Sequence, residues 1–445
     1  MRLSLKNIGK IESANVELNG ITVLAGENNS GKSTVGKVLF AVVNSLHRNR
    51  EQVMWARHKN VALPIEHLLH SSGSSGRRRM SEFQYELDGT NALSISVEDE
   101  VIIQDISVYK NNKEELMAKL VDFLNKVEPE HTHDIDKALL ERVTSRILES
   151  LDVTDEDVAQ KIIQNLILTE MDGQINNLLA QDTVGRIEFT HNGTPTILCI
   201  QDENIIAGEE IINIPSIASH AVYIESPYSS LDSMLRYPPL RNSSLDIYTG
   251  SHQAQLQLLL RNAVGFQKNA VSELIDEKKL SRIFAKLEET PTGELRRNNR
   301  GRFEHYDKKT NTSYNLSNVS TGIKSFLVIK TLLLGDALNH GDVLILDEPE
   351  VHLHPQWQLI FAELLVLIQQ ELDLRILIST HSTDFLDAIE VFSKKHGIEE
   401  KCKYYLTENR GNSAIVSDVT DNVDKIYEKL LDPILVLEEE ENSDE

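Results

Sequence analysis

Two cysteines, Cys199 and Cys402, are all that the 445-residue chain contains. They cannot build a disulfide scaffold or a four-thiolate zinc site. No run approaches the ~18 apolar residues that a membrane-spanning helix needs. Met1-Arg2-Leu3-Ser4 opens the chain without an apolar signal core. The expected setting is therefore a reducing cytosol, with no membrane partner. Positive charge is also short. Lys and Arg number 45 against 69 Asp and Glu, a formal net charge of −24. This excludes a protein that coats nucleic acid with its whole surface, but not one with a local basic groove. No internal repeat occurs, and no helical stretch keeps heptads long enough for a long coiled coil.

What is present suffices for a sizeable core: 40% of residues are hydrophobic and 26% charged. The length suggests one large α/β domain with an insertion, or two domains. Residues 3–7, 15–18 and 21–25 read as strands, and 32–46 as a helix with an apolar side. Composition then changes. Ser71-Ser72-Gly73-Ser74-Ser75-Gly76 resembles a linker and is followed by Arg77-Arg78-Arg79. Residues 83–87 and 92–97 flank a turn at 88–91, 113–181 is helical in pattern, and 186–189 with 196–200 forms a second hairpin. Residues 47–205 are thus expected to be a mainly helical inserted arm. The head is expected at 1–46 and 206–445, with an acidic tail at 438–445. In the second half, 221–225, 343–346 and 376–379 read as strands. Residues 322–338 and 355–370 read as helices.

Gly26-Glu27-Asn28-Asn29-Ser30-Gly31-Lys32-Ser33 fits G-x-x-x-x-G-K-[ST] between a strand and a helix. Gly26 and Gly31 let the backbone curl so that its N–H groups face a polyphosphate, and the helix start adds positive potential. Lys32 would reach the β- and γ-phosphates of ATP and Ser33 would ligate Mg²⁺. The expected nucleotide cradle comprises Gly26, Asn28, Asn29, Ser30, Gly31, Lys32, Ser33 and Thr34. Val343-Leu344-Ile345-Leu346 aims Asp347 and Glu348 at a strand's C-terminal end, where open α/β sheets bind ligands. Asp347 can hold Mg²⁺, and Glu348 can polarise the attacking water. A third apolar strand ends in Ser379-Thr380-His381. A neutral His381 beside the γ-phosphate could orient that water. Ser320 and Gly322 open another helix at an anion-friendly N-terminus.

These elements, in this order, resemble the ABC-type (P-loop) ATPases. The likeness is narrower with the branch of the SMC and recombination-repair ATPases and the overcoming-lysogenisation-defect nucleases. The phosphate loop resembles Walker A, and residues 343–348 resemble Walker B, with His381 as the switch histidine. Val319-Ser320-Thr321-Gly322-Ile323 is similar to the signature motif, although Val319, Thr321 and Ile323 depart from Leu-Ser-Gly-Gly-Gln. Glu350-Val351-His352-Leu353-His354-Pro355 is similar to the D-loop, so its His-x-His pair is a switch loop rather than a metal site. Where a Q-loop glutamine belongs, the sequence has Glu225-Ser226-Pro227.

The resemblance implies an α/β head with a mixed sheet and an ATP-linked head-to-tail dimer. ATP on Lys32 of one copy would be closed by Ser320 and Gly322 of the other. It also implies ATP hydrolysis with Glu348, His381 and Lys32 as catalytic residues. The related nucleases carry a metal-binding acidic domain after the ATPase. Here the residues beyond His381 hold no Asp-x-Asp cluster, so a nuclease effector would be a separate chain. Stand-alone ATPases of this kind resemble subunits of bacterial anti-phage systems such as Septu. A DNA-end clamp and a weakly hydrolysing scaffold are the alternatives. A transporter ATPase is disfavoured because both the full signature and the coupling glutamine are missing. The basic groups best suited to DNA are Arg77, Arg78 and Arg79, and Arg296, Arg297, Arg300, Arg302, Lys308 and Lys309, the latter read as a loop and hairpin. His131 and His133 read as a solvated turn.

Overall fold

The computed structural model describes residues 1–57, 60, 64, 95–97, 100–103, 106–127, 136–177, 179, 184–206, 214–225, 231, 250–264, 278–298 and 302–431. The linker 71–76, Arg77–Arg79, the turn at 88–91, His131, His133, Ser226-Pro227, Arg300 and the acidic tail lie outside these residues. Compact units are formed by Met1–Asn49 with Ile162–Glu445, and by Arg50–Lys161.

The larger unit is organised by one mixed sheet. Its strands are β1 (Arg2–Ile8), β2 (Ile11–Glu17), β3 (Ile21–Gly26), β6 (Gly185–His191), β7 (Thr194–Gln201), β8 (Asn204–Ile206), β9 (Ala221–Ile224), β13 (Val343–Asp347), β14 (Arg375–Thr380), β15 (Lys403–Arg410) and β16 (Ser413–Asp418). They lie in the order β8-β7-β6-β1-β2-β16-β15-β3-β14-β13-β9. The run β15-β3-β14-β13-β9 is parallel throughout. β1 pairs antiparallel with β2 and with β6, and β6 with β7, while β2 pairs parallel with β16.

Residues 185–206, read from the sequence as part of the arm, therefore belong to the head sheet. Leu3, for example, pairs with Phe189. A hairpin's own pattern does not reveal which third strand it joins.

Helices cover both faces: α1 (Lys32–Leu46), α4 (Asp155–Glu170), α5 (His252–Ala263), α6 (Ser281–Leu287), α7 (Thr321–Leu334), α8 (Pro355–Leu372) and α9 (Thr383–Lys395). The parallel strands are apolar along their length because they are buried on both sides. Alternate residues still part company. Val23, Leu344, Leu346, Ile376 and Ile378 pack towards α7, α8 and α9. Leu24, Val343, Ile345, Leu377 and Tyr223 pack towards α1 and Ile163, Leu166 and Ile167 of α4. At the sheet edge, Asn44 of α1 donates to Ala221 O at 2.9 Å and accepts from Ala221 N at 2.8 Å. Its amide thereby takes the place of a neighbouring strand.

A small separate sheet in this unit has the order β10 (Glu294–Arg297), β11 (Phe303–Asp307), β12 (Thr312–Asn315). Arg296 and Arg297, read from the sequence as loop residues, are thus on a strand paired with β11.

The smaller unit holds β4 (Ile95–Val97) paired with β5 (Glu100–Ile103), α2 (Lys113–Val127), α3 (Lys137–Asp152) and the first turns of α4. Asp136 caps α3 by accepting from Ala138 N at 2.9 Å. Among the described residues, no helix is long and apolar enough to cross a membrane.

Candidate functional site

The sheet register brings the separate sequence motifs to one edge. Thr380 pairs with Ala25, and Asp347 pairs with Ser379. The ends of β3, β14 and β13 are therefore adjacent and point the same way, with the loop 26–31 springing from the first.

The loop holds its curve for steric reasons. Gly31 has φ 85°, and a side chain there would run into Ile11. A side chain at Gly26 would run into Thr407. Ser30 is buried and shares a 2.6 Å hydrogen bond with the Thr407 hydroxyl, which also donates to Ala25 O at 3.2 Å. Lys10 donates to Asn29 O. Lys429 pairs with exposed Glu27 at 3.0 Å. Asn28 and Asn29 are exposed at the loop's crest, and Ser33 and Thr34 are half-buried in the first turn of α1.

Lys32 is buried, and its ammonium donates to Gly26 O at 2.8 Å and Glu27 O at 2.7 Å. Burial pulls its pKa below the ordinary lysine range. The charges of Glu348, Asp347 and Glu350, in that order, oppose the shift. The loop lysine thus faces the acids at the end of β13.

Those acids differ from one another. Asp347 is buried, and its Oδ2 accepts from the Tyr223 hydroxyl at 3.0 Å. Its Oδ1 is buried without a hydrogen-bond partner. An orphaned buried carboxylate oxygen beside a phosphate loop suits a divalent cation, because an unpaired buried acceptor is otherwise costly. Glu348 follows with φ 48°, a backbone region that non-glycine residues seldom adopt and that marks functional turns. Its N–H donates to Ser379 O at 2.9 Å, and its carboxylate lies 3.4 Å from His381 Nδ1. Both side chains remain partly exposed. Glu350 is buried and accepts from the Thr380 hydroxyl at 2.5 Å and His381 N at 3.4 Å. Burial raises its pKa, and these bonds oppose the rise.

Ser320 is the N-cap position of α7, yet it makes no side-chain cap bond and is exposed. Gly322 is buried. A Cβ there would come within 3.1 Å of His352 O and 3.3 Å of the Trp357 ring, so glycine lets the loop 350–355 lie against the start of α7. His354 caps α8 by accepting from Gln356 N at 3.3 Å.

Glu225 follows directly on β9. Its Oε2 accepts from His252 Nε2 at 3.1 Å and Gln253 Nε2 at 3.3 Å. The bond from His252 holds the Glu225 carboxyl down at about 2.

The basic group on the small sheet is largely engaged. Glu294 pairs with Arg296 at 2.7 Å and Lys308 at 2.5 Å. Arg296 also lies 3.5 Å from the centre of the Tyr306 ring. Arg297 donates to Arg261 O at 2.9 Å and sits over Phe303. Arg302 is exposed.

Sequence reasoning found the phosphate loop and the two strand ends, but missed Thr407, Tyr223, Glu170 and His252. A polar threonine in the buried run 404–407 was the available signal for the first. The other three have no local signature.

A buried lysine in a glycine loop facing strand-end acids defines a P-loop nucleotide-binding site. The chain belongs to the AAA ATPase domain family, whose profile matches residues 1–386. It is an ATP-binding ATPase. No curated protein matches it. Among solved structures it is similar to an SMC head bound to the C-winged helix domain of ScpA. That match has 13% identity and a TM-score of 0.40, covering 94% of this chain and 97% of that one. It is also similar to the SMC head domain from Thermotoga maritima, with 10% identity and TM-score 0.37 over 94% and 98% of the two chains. A third likeness is to the Smc head domain with an extended coiled coil bound to the C-terminal domain of ScpA derived from Pyrococcus furiosus. There the identity is 13% and the TM-score 0.35, over 96% and 98%.

Proposed function

We propose that this ATPase is a molecular switch: two copies close head-to-tail on two ATP molecules, and closure controls a separate effector chain. The observation that carries this reading is Ser320. It stands exposed at a helix start with its hydroxyl unused in capping, as a group reserved for a second copy's nucleotide would be. Gly322 next to it admits the loop 350–355, so closure at Ser320 would be felt by Glu350 and hence by His381.

Within one site, Lys32 and the backbone N–H groups of Asn28 to Thr34 bind and orient the β- and γ-phosphates. Ser33 and the free Asp347 Oδ1 would hold Mg²⁺. Bound there, the ion would neutralise charge on the phosphate oxygens. Glu348 accepts a proton from the attacking water, and His381 steers Glu348 from 3.4 Å away.

The effector is read as a nuclease supplied in trans, and the setting as anti-phage defence. What supports this is the order of the phosphate loop, the strand-end acids and His381, which resembles that of stand-alone ATPases whose nuclease is a separate chain. DNA contact through Arg296, Arg297 and Arg302 belongs to the same reading.

Glu348→Gln should lower turnover on the order of 10²–10⁴-fold and trap an ATP-bound dimer, seen by light scattering. A monomer at every ATP concentration would refute the two-copy switch. Fast steady-state turnover of the unaltered chain separates the switch from a weakly hydrolysing scaffold.

A further inference from the structure

The cluster around His252 is not used by the site as described above, yet it ends on one of its acids. His252 is buried, with both ring nitrogens on carboxylates: Nδ1 lies 2.6 Å from Glu170 Oε2, and Nε2 lies 3.1 Å from Glu225 Oε2. Its backbone N–H donates to Glu170 Oε1 at 2.7 Å, so the one glutamate caps α5 and grips its first side chain. An imidazole donating from both nitrogens is the cation, and two carboxylates keep it so. The ring has no freedom to turn.

On its face lies Tyr223, ring centres 4.5 Å apart and planes 28° from parallel. Phe40 of α1 packs edge-on against His252 with centres 6.0 Å apart, and meets Tyr223 at 6.3 Å. Gly36 of the same helix passes over the phenol, since a Cβ there would lie in ordinary contact with its oxygen at 3.5 Å. Tyr223 is thus packed against His252 and Phe40, and its hydroxyl donates to Asp347 Oδ2 at 3.0 Å.

We propose that the Glu170–His252–Glu225 clamp positions the Asp347 carboxylate through Tyr223, engaging Oδ2 so that Oδ1 alone is presented to the cation. Tyr223 and His252 are positioning residues that act through Asp347. The arrangement also accounts for the acid where a Q-loop glutamine was expected, because Glu225 completes the salt bridge that fixes His252.

This inference rests on reading Asp347 as the cation's ligand, and the test separates the two. Binding of a fluorescent ATP analogue to the full chain is measured in EDTA and with Mg²⁺ titrated in. Tyr223→Phe removes one oxygen and keeps the ring, so it should fold. It should leave affinity in EDTA unchanged while raising the Mg²⁺ needed for half-maximal effect about 10-fold, as expected for one lost hydrogen bond to a charged group. His252→Gln should raise it about 3-fold. The double variant should be no worse than Tyr223→Phe alone, since the two act in series. An unchanged Mg²⁺ requirement in Tyr223→Phe, or effects that add, overturns the proposal. Asp347→Asn should raise the requirement more than either. Were it to leave the requirement unchanged, the metal-ligand reading would fail and take this proposal with it. A shift in Asp347→Asn without one in Tyr223→Phe refutes the clamp alone.

Discussion

Neighbouring strands β13 and β9 end in acids that the molecule treats in opposite ways. Glu225, after β9, is half-exposed and engaged through Oε2 by His252 and Gln253. Asp347, ending β13, has one oxygen satisfied by Tyr223 and the other buried with no partner. Both acids stand at the edge where parallel sheets bind ligands. Folding has paired the first with a cation inside the protein and left one buried oxygen of the second without a partner, where the proposed metal would bind. On the proposed function, position at the strand end does not by itself make a carboxylate a cation ligand; the unmet bond does.

Alanine at each position is the most direct way to break this contrast. Asp347→Ala should lower kcat on the order of 10²–10³-fold, the scale of removing a preorganised charge from a reacting phosphate. Glu225→Ala should leave turnover within about tenfold, acting only through the clamp, while costing about 1–3 kcal/mol for the partner left buried. ATP turnover and denaturant melts of the two variants decide the matter. If Glu225→Ala proves the more damaging to catalysis, the contrast is the wrong way round.

A smaller effect, in stability rather than turnover, sharpens the same contrast. Burial alone would strip the proton from His252, but its bonds to Glu170 and then Glu225 outweigh burial and raise its pKa from 6.5 to about 9. A group whose folded pKa is raised contributes stability that is complete below the unfolded value and lost as pH climbs through the folded one. The contribution is therefore whole below about 6.5 and falls away towards 9. Glu225, held down from 4.5 to about 2, contributes in full above 4.5 and loses that contribution as pH falls through about 2. Between these limits the clamp is intact. The melting temperature should decline from pH 7 to pH 9.5, and His252→Gln should flatten that decline. An equal slope in the two proteins would show that the clamp's proton does not matter to folding. The acid paired with His252, unlike Asp347, thus announces itself in stability.

The contrast also explains what the sequence could reveal. The loop 26–33, the run 343–348 and the strand end at 379–381 were legible because each compresses strand, turn and polar group into a few consecutive residues. The parallel strands were legible as unbroken apolar runs, which is what burial on both faces requires. The clamp was not, because Glu170, Tyr223 and His252 come from three distant elements and are adjacent only after α4, β9 and α5 pack. No period or spacing encodes that meeting. Thr407 was hidden for the same reason: its partner, Ser30, lies at the other end of the chain. The place of residues 185–206 in the head sheet escaped because strand pairing is a tertiary choice.

The weakest expected effect concerns the basic sheet, where the same question of met and unmet charge returns. Arg296 and Lys308 share Glu294, and Arg297 leans on Phe303 and the Arg261 carbonyl. Charges already answered within the protein have less to offer a phosphate backbone, because each new contact must compete with an existing one. Exposed pairs are nevertheless weak and screened by salt, so a polyanion could displace them. Charge reversal at Arg296 and Arg297 together should lower any DNA-stimulated ATP turnover about 2–5-fold at low salt, with the difference fading as salt rises. Glu294→Gln, which frees both cations, should act in the opposite direction. If both variants keep the stimulation of the unaltered chain, these arginines belong with Glu225: charged, prominent in the sequence, and satisfied by the fold.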